Sequence, residues 1–261
     1  MGRFFKAGKG TGGIPMRYAE LLELAPELRE FTSRIPEDLD GRFQLRTYPA
    51  HTFIHQKDSP LERIGILLRG TFRVVNEFEN GNVFMIETNE AVSFIGEVTL
   101  LAGAATTSVT IESVTDCLVA SVTVALFDAW LQRDIQLLRA VSRHVAAKLY
   151  CSSYSRGERL FYSAKYVLLK YLVRQAEEQG VRSAGQVVLS KTRRQISEEV
   201  GLTEKTINRT LTQFVKDGVL SIQRGKASFS AGQYHRAQRE LRVYMSQSRN
   251  GTAAGSQNPD M

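Results

Sequence analysis

The chain has 261 residues, which is long enough for two domains. Of these residues, 43% are hydrophobic and 23% are charged, a composition that is typical of soluble globular proteins. Its net charge of +7 is uneven: residues 1–149 carry 16 Lys and Arg against 18 Asp and Glu, whereas residues 150–261 carry 18 against 9. No apolar run approaches membrane-spanning length and the N-terminus lacks a signal-peptide core, so we expect a cytoplasmic protein with no membrane partner. The basic second part predicts a polyanionic partner there.

The sequence offers no cluster of residues typical of metal binding or catalysis. Cys117 and Cys151 are too few and too far apart for a zinc site or an iron–sulfur cluster. The four histidines are scattered and accompany no group of acids, and no nucleophile–base pair or carboxylate dyad has a usable spacing. We therefore expect a protein that is not an enzyme and holds no metal, while a small-molecule effector and a redox role for one cysteine stay open.

The N-terminal part is rich in predicted strands. Residues 1–16 predict a flexible leader, and Tyr18–Phe31 predicts a helix. Alternating runs then follow, separated by turn formers: FQLRTY, HTFIHQ, IGILLRG, TFRVVNEF, NVFMIET, SVTIESV and CLVASVT. Their number and spacing favour an antiparallel sandwich or barrel, and the Glu79–Asn82 corner predicts a tight hairpin.

One segment interrupts the strand pattern. Phe94–Gly103 predicts a short helix, and the small and hydroxyl-bearing residues of segment 104–108 follow it. Such residues would leave backbone N–H groups available to an anionic or polar ligand. A plain connecting loop is the competing interpretation.

Helical periodicity returns at Phe127 and continues to about Arg159. Within it, one stripe alternates by four and three positions, as in a coiled coil: Leu131, Ile135, Leu138, Ser142, Val145, Leu149 and Ser152. We predict that this stripe pairs with its own copy across a twofold axis. Packing on the β-rich part is the alternative, because two stripe positions are serine.

Residues 192–211, TRRQISEEVGLTEKTINRTL, predict two short helices around a glycine turn. Thr192 and Gln195 fit a capping box, Gly201 suits the left-handed position that ends the first helix, and Thr203 can cap the second. A preceding helix is predicted over 163–179. Downstream, Val219–Ser230 alternates apolar and polar residues around a basic centre, which predicts a hairpin or wing.

The second of these helices has two distinct faces. Four residues form an inward stripe: Ile207, Thr210, Leu211 and Phe214. Another face carries Lys205, Asn208, Arg209 and Thr212, and such side chains suit a major groove because Arg and Lys donate to guanine and Asn pairs with adenine. We expect Lys205, Asn208 and Arg209 to read bases. The expected phosphate contacts are Thr192, Arg193, Arg194, Thr203, Arg224 and Lys226.

The order of β-rich module, Phe94-Ile95-Gly96-Glu97 segment, long helix and winged helix-turn-helix resembles the Crp/Fnr superfamily of bacterial transcription regulators over roughly residues 20–230. Phe94–Glu97 resembles the start of the family's phosphate-binding cassette, and Gly70 and Gly81 match glycines at family strand corners. The resemblance implies an α+β fold: an N-terminal antiparallel, jelly-roll-like β-roll as a cyclic-nucleotide-binding-like sensor (17–130), a long dimerisation helix (131–160) and a C-terminal winged helix-turn-helix (161–231). The remainder, 232–261, is predicted to be helical and then, after Ser246, disordered.

The resemblance also implies an effector site, with one departure. In members that bind cyclic AMP, an arginine ten residues after the cassette glutamate neutralises the phosphate and a serine follows; here Thr107 and Ser108 occupy those positions. Losing that charge-assisted contact removes about 1.5 to 3 kcal/mol, so we do not expect cyclic AMP as the effector. The implied effector-binding residues are Gly96, Glu97, Thr106, Thr107, Ser108, Ser152 and Ser153.

Further departures affect the implied partners. Many members read DNA with an Arg-Glu pair and a later Arg, whereas this chain has Glu204-Lys205 and Arg209, so the operator should differ. The N-terminal cysteine cluster of the oxygen-sensing branch is absent. The resemblance implies a homodimer on a two-fold operator in double-stranded DNA, with RNA polymerase as a further partner. The alternative is a regulatory or scaffold protein whose C-terminal domain contacts protein rather than DNA.

Overall fold

The computed structural model describes residues 13–32 and 35–253, without the side chains of 154–156, 158–159 and 245–253. The chain divides after Ser152 into two compact units. The strands of the first unit are β1 (Ile14–Met16), β2 (Phe43–Tyr48), β3 (Phe53–His55), β4 (Arg63–Arg69), β5 (Thr71–Glu77), β6 (Val83–Glu90), β7 (Ser93–Ile95), β8 (Thr110–Ser113) and β9 (Cys117–Thr123). Its helices are α1 (Tyr18–Leu24), a 3₁₀ turn (Pro26–Glu30), α2 (Glu97–Leu101), α3 (Val124–Arg133) and the first part of α4 (Ile135–Phe161).

The strands form two antiparallel sheets, which confirms the predicted β-rich module. One sheet has the order β1-β2-β9-β4-β7 and the other β3-β8-β5-β6. Strand alternation explains the two cores: Ile64 and Ile66 of β4 pack with the helices, whereas Leu67 packs with Phe72 of the opposite sheet. All seven predicted strands are present, and so is the hairpin turn that follows β5, where the Gly81 amide donates to the Phe78 carbonyl.

Two glycines are required where the chain turns sharply. Gly70, between β4 and β5, has φ +98°, and a Cβ there would lie 2.3 Å from the Asp116 carbonyl oxygen. Gly96 has φ +92° and directs the chain from β7 into α2. Residues other than glycine rarely adopt these backbone angles, so a substitution at either position would strain the backbone.

The structure corrects the expected flexible leader. Its residues 1–12 lie outside the described part, but Ile14–Met16 is strand β1, which pairs with Phe43–Leu45 of β2. Alternation over three residues gives too short a sequence pattern to separate a strand from a loop. The helix expected over Tyr18–Phe31 is also divided, because Pro26 begins a separate 3₁₀ turn.

The predicted dimerisation helix is divided as well. The chain becomes extended at Asp134, with φ −124° and ψ 96°, so α3 ends there and α4 begins anew at Ile135. The Asp134 carboxylate accepts hydrogen bonds from the amides of Gln136 and Leu137, which is how a side chain caps a helix start. Leu131 therefore belongs to α3, where it is buried in the first unit, and the exposed stripe starts at Ile135.

The second unit is helical, with a small sheet. After α4, its elements are α5 (Ala164–Glu178), α6 (Val181–Ala184), β10 (Gln186–Val188), α7 (Arg193–Val200), α8 (Glu204–Lys216), β11 (Ser221–Gln223), β12 (Lys226–Ser230) and α9 (Ala231–Ala253). The sheet has the order β10-β12-β11. The helix predicted over 163–179, the two helices around Gly201 and the wing are confirmed, whereas α6 and β10 were not predicted.

The end of the chain differs from expectation. Helix α9 continues to Ala253, past Ser246, after which the polar composition predicted disorder; residues 254–261 lie outside the described part. Composition underestimates such a helix because each residue added to an existing helix gains a hydrogen bond without a new nucleation cost.

Removing the buried cap of α4 should destabilise the first unit. Asp134 is 7% exposed and also accepts a 2.5 Å hydrogen bond from the Thr32 hydroxyl. Asp134→Ala leaves these donors unsatisfied, so we expect the free energy of unfolding to fall by about 1 to 3 kcal/mol in urea titrations. Asp134→Asn, which keeps one oxygen acceptor, should lose less; equal losses in the two variants would contradict the capping role.

Candidate nucleic-acid interface and ligand cassette

The two helices α7 and α8 are joined by a turn that is fixed at each residue. Thr192 and Gln195 form the reciprocal capping box, and Gly201 ends α7 with φ 73°. The Ser197 hydroxyl donates to the Leu202 carbonyl at 2.6 Å, and the Thr203 hydroxyl accepts from the Thr206 amide to cap α8. The local sequence therefore sets the angle between the helices.

Helix α8 separates a buried face from a polar one. Its inward stripe is buried as predicted: Ile207, Thr210, Leu211 and Phe214. The opposite face is exposed and carries Lys205, Asn208, Arg209 and Thr212. The Thr212 hydroxyl donates to the backbone carbonyl of Asn208 at 2.9 Å, so the side-chain amide of Asn208 takes no part in that bond. This arrangement presents donors in the pattern that a major groove accepts.

Helix α7 is anchored to α5 beneath it. The Tyr171 hydroxyl donates to Glu199 at 2.8 Å, and Lys191 donates to the same carboxylate at 2.7 Å. Arg194 pairs with Glu198, one turn on, at 3.0 Å. These bonds hold the first helix in place while leaving the exposed face of α8 unobstructed.

Arg193 differs from the other cations of this surface. It is half-buried, its Nη1 has no hydrogen-bond partner in the described part of the chain, and burial lowers its pKa. A guanidinium keeps its proton near neutral pH, so Nη1 is a charged donor without an acceptor at a position that solvent does not reach.

The wing has a tight basic tip. Gln223 pairs with Lys226 across the hairpin, and Arg224 and Gly225 both have positive φ, 49° and 76°, as in a type I′ turn. Arg224 is exposed at this tip. The Lys226 ammonium donates to the Ser190 carbonyl at 2.5 Å, which ties the wing to the segment before α7.

In the first unit, the cassette occupies the turn from β7 into α2. The short helix expected over Phe94–Gly103 is confined to Glu97–Leu101, because Phe94 and Ile95 belong to strand β7, which pairs with β4. Gly96 is the left-handed residue before α2, and Glu97 begins the helix with its side chain buried. Thr107 is also buried; its hydroxyl donates to the Gln56 carbonyl at 2.8 Å and its amide to the Ser59 carbonyl at 3.1 Å. Thr106 and Ser108 are exposed on either side.

Glu97 is already paired within the chain. The Lys148 ammonium of α4 lies 2.9 Å from Glu97 Oε1 and 2.8 Å from Glu87 Oε1 of β6, so one cation bridges two carboxylates. The His144 ring lies beside them, with Nε2 3.9 Å from Glu97 Oε1 and 3.3 Å from the Ser93 hydroxyl. We call Glu87, Glu97, His144 and Lys148 the cassette clasp.

The charges in the clasp shift the pKa of both basic groups. Burial alone would lower the pKa of Lys148, but Glu97 and Glu87 outweigh it and raise that pKa above its ordinary value. Burial, followed by the Lys148 charge, lowers the pKa of His144 despite the two carboxylates. At neutral pH the clasp therefore holds a charged lysine and a neutral histidine.

Sequence reasoning missed Lys148, Glu87 and His144 as members of this site. A signal was present, because Leu137, Val141, His144 and Lys148 follow one another by four, three and four positions and so share the inward face of α4. A lysine on an apolar stripe indicates a buried carboxylate partner. Glu87 could not be found this way, since its partner comes from a distant strand.

The outward face of α4 carries only part of the predicted stripe, because Leu138 and Val145 are half-buried and Leu138 packs against the core of the first unit, as the alternative interpretation expects. Ile135 is 69% exposed and Leu149 61%, and Ser142 is exposed between them. The implied effector residues Ser152 and Ser153 lie further along α4, where the Ser152 hydroxyl donates to the Leu149 carbonyl. Exposed apolar side chains along one helix face are typical of a surface that another chain covers.

Within the described residues, no helix is long and apolar enough to cross a membrane. The same residues contain no group of three or more His, Cys, Asp or Glu that could hold a metal ion. Cys117 is buried and Cys151 is exposed on α4, and neither forms a disulfide bond.

Two family matches correspond to the two units. Residues 45–134 match the cyclic nucleotide-binding domain, and residues 168–229 match the Crp-like helix-turn-helix domain. The cAMP-activated global transcriptional regulator CRP of Salmonella typhimurium is 24% identical over 179 residues, which cover 68% of this chain and 85% of that protein. The CRP of Escherichia coli O157:H7 matches to the same extent.

Solved structures share the fold. The c-di-GMP responsive global regulator CLP of Xanthomonas campestris has a TM-score of 0.65 at 16% identity, covering 73% of this chain and 95% of that one. FixK2 of Bradyrhizobium japonicum has a TM-score of 0.55 at 19% identity, covering 77% and 96%. A β-roll joined through a long helix to a winged helix-turn-helix defines a class of DNA-binding transcription regulators. Within that class, the chain belongs to the Crp/Fnr superfamily.

Removing the cation of the clasp should destabilise the first unit. Lys148→Met leaves two carboxylates without their shared partner; breaking a buried pair costs about 3 to 5 kcal/mol, and we expect the lower end because Lys148 and Glu87 keep some exposure to water. Urea unfolding of the full chain, observed through a signal that reports on the first unit, measures this loss of stability. Lys148→Met/Glu97→Gln should recover part of the stability, and a double variant as unstable as Lys148→Met would contradict the pairing.

Proposed function

We propose that the protein is a homodimeric, sequence-specific transcription regulator that binds a two-fold operator in cytoplasmic DNA. The observation that carries this proposal is the exposed polar face of α8, held on a helix whose opposite face is buried in the core and whose N-terminus is capped by Thr203. The basic composition of the second unit supports it, because a polyanion is attracted to that unit alone.

In this proposal, α8 enters the major groove and reads bases. Arg209 and Lys205 donate to guanine acceptors and Asn208 pairs with adenine. Glu204, in the first turn, accepts from a cytosine amino group where the operator presents one. The readers differ in type from the Arg-Glu pair of many superfamily members, and so the preferred half-site differs too.

Phosphate contacts hold the helix in register. Arg193 begins α7, and Lys226 keeps two N–H groups after its bond to Ser190. The other proposed contacts are Thr192, Arg194, Thr203 and Arg224. These residues lie at helix starts or at the wing tip, where backbone N–H groups and cations favour phosphate oxygens.

Dimerisation uses the exposed stripe of α4. Two copies joined along Ile135, Ser142 and Leu149 would place two reading helices about one DNA turn apart, as a two-fold operator requires. The buried side of the same helix carries the clasp, so a change at the β-roll acts on the element that joins the copies.

The β-roll senses an effector other than cyclic AMP. Position 107 carries no cation, and the Glu97 carboxylate is already engaged by Lys148. An effector acts here only through unequal affinity for the DNA-competent and incompetent states. The proposed contacts are Gly96, Glu97, Thr106, Thr107, Ser108, Ser152 and Ser153, and a regulator of this kind also contacts RNA polymerase.

The proposed dimer interface on α4 can be tested at one exposed leucine, Leu149. We expect the wild-type protein to sediment as a dimer and Leu149→Arg to sediment as a monomer, because two arginines would face each other across the axis. Affinity for the two-fold operator should fall by about 100-fold or more, since the second half-site no longer adds to binding. Tyr150→Ser, which alters the neighbouring exposed residue outside the stripe, should remain dimeric; a dimeric Leu149→Arg would place the interface elsewhere.

Base reading can be tested with Arg209. An operator duplex is first selected with the purified protein from random sequences, and its affinity is compared with that of a scrambled duplex over a salt series. Arg209→Ala should cost about 1 to 3 kcal/mol on the selected duplex and little on the scrambled one. Lys165→Ala, which removes an exposed cation from α5, should change neither affinity. Equal losses on both duplexes would remove Arg209 from the readers, and absence of salt-dependent binding would refute the DNA-binding proposal itself.

A further inference from the structure

We propose that helix α9 is a docking surface for an acidic protein, separate from the face that reads DNA. The surface consists of Arg236, Arg239 and Arg242, which we call the arginine face. Helix α9 begins at Ala231, after the end of the match to the Crp-like helix-turn-helix domain at residue 229. It therefore lies beyond the residues that match that domain.

The helix is firmly held, so its arginines occupy defined positions. Tyr234 and Ala237 are buried in the core of the second unit, and Leu241 and Tyr244 pack against that core. The Tyr234 hydroxyl is in a polar network with α5 and α6. It donates to Glu177 and accepts from Arg182 Nε at 3.1 Å and from Gln238 Nε2 at 2.6 Å.

The arginine face is exposed and unneutralised. Arg236, Arg239 and Arg242 form no hydrogen bond or ion pair within the described part of the chain, and between residues 231 and 244 Glu240 is the only acid in the sequence. Like charges three positions apart on a helix repel one another. A folded helix that keeps three such cations without internal partners is suited to an acidic partner from outside.

Helix α9 meets α8 at the C-terminal end of α8, beyond the residues that are proposed to read bases. Arg236 Nη1 is 3.2 Å from the position that a Cβ on Gly218 would occupy, and Gly218 follows the C-terminal end of α8. Lys205 and Arg209 lie in the N-terminal half of α8, on the side opposite its buried stripe. Helix α5 packs against both α8 and α9. In this proposal, a duplex held by the N-terminal half of α8 leaves the arginine face free.

The residue type points to protein carboxylates. All the basic residues of α9 that carry a permanent charge are arginines, and the helix contains no lysine. Its planar guanidinium binds a carboxylate through two parallel hydrogen bonds, and arginine is enriched in protein interfaces whereas lysine is depleted. Since DNA is assigned to the polar face of α8, an acidic protein segment is the partner that fits.

The inference rests on the proposed function, because DNA must occupy the reading face for α9 to serve a second partner. In the test, the full-length protein is saturated with its selected operator duplex and titrated with a short, labelled poly-L-glutamate peptide. Arg236→Ala/Arg239→Ala/Arg242→Ala should weaken peptide binding by about tenfold or more, as removal of charge-assisted contacts does. The affinity of this triple variant for the operator duplex should stay unchanged.

Two matched variants make the result specific. Arg42→Ala/Arg69→Ala/Lys165→Ala removes the same charge from exposed positions elsewhere and should bind the peptide like the wild type. Replacing the three arginines by lysine keeps the charge and should retain part of the affinity. Peptide binding that survives the alanine variant, or a duplex that displaces the peptide, would overturn the proposal. If the wild type binds no duplex, the proposed function fails, and the titration without DNA still tests the arginine face.

Discussion

The ion pair of Lys148 with Glu87 and Glu97 is the interaction that ties α4 to the β-roll, and it constrains α4 on one side only. A lysine placed between two carboxylates satisfies charges that could not be buried alone. The helix is thereby tied to the β-roll through its inward face, while Ile135 and Leu149 stay exposed on the outward face. Helix α4 thus carries both the contact with the cassette and the proposed dimer interface.

The same pairing changes how the cassette should be understood. Family resemblance assigns Glu97 to a ligand, but its carboxylate is buried and bonded to Lys148, and the Thr107 hydroxyl faces the Gln56 carbonyl. An effector that uses these groups must compete with internal bonds. Gly96 gives the cassette the left-handed turn from which α2 begins, whereas position 107 carries a threonine and no cation.

In the second unit, local interactions determine most of the reading surface. A capping box at Thr192, a left-handed glycine at 201 and an N-cap at Thr203 fix the two helices, and each involves residues at most four or five positions apart. The surface on α9 has a different origin. It depends on Tyr234 meeting Glu177 and Arg182, which are remote in sequence.

The sequence by itself determined the strands of the β-roll, both helices around Gly201, the wing and the polar face of α8, because these follow from periodicity and from capping over a few residues. It did not separate α3 from α4, since the break at Asp134 depends on a carboxylate buried against Thr32, about a hundred residues earlier. Short β1 and β10 also escaped, because each exists only through pairing with a distant strand. Only the tertiary structure brought Glu87 and Glu97 to Lys148, because electrostatic partners across a fold leave no spacing pattern in the chain.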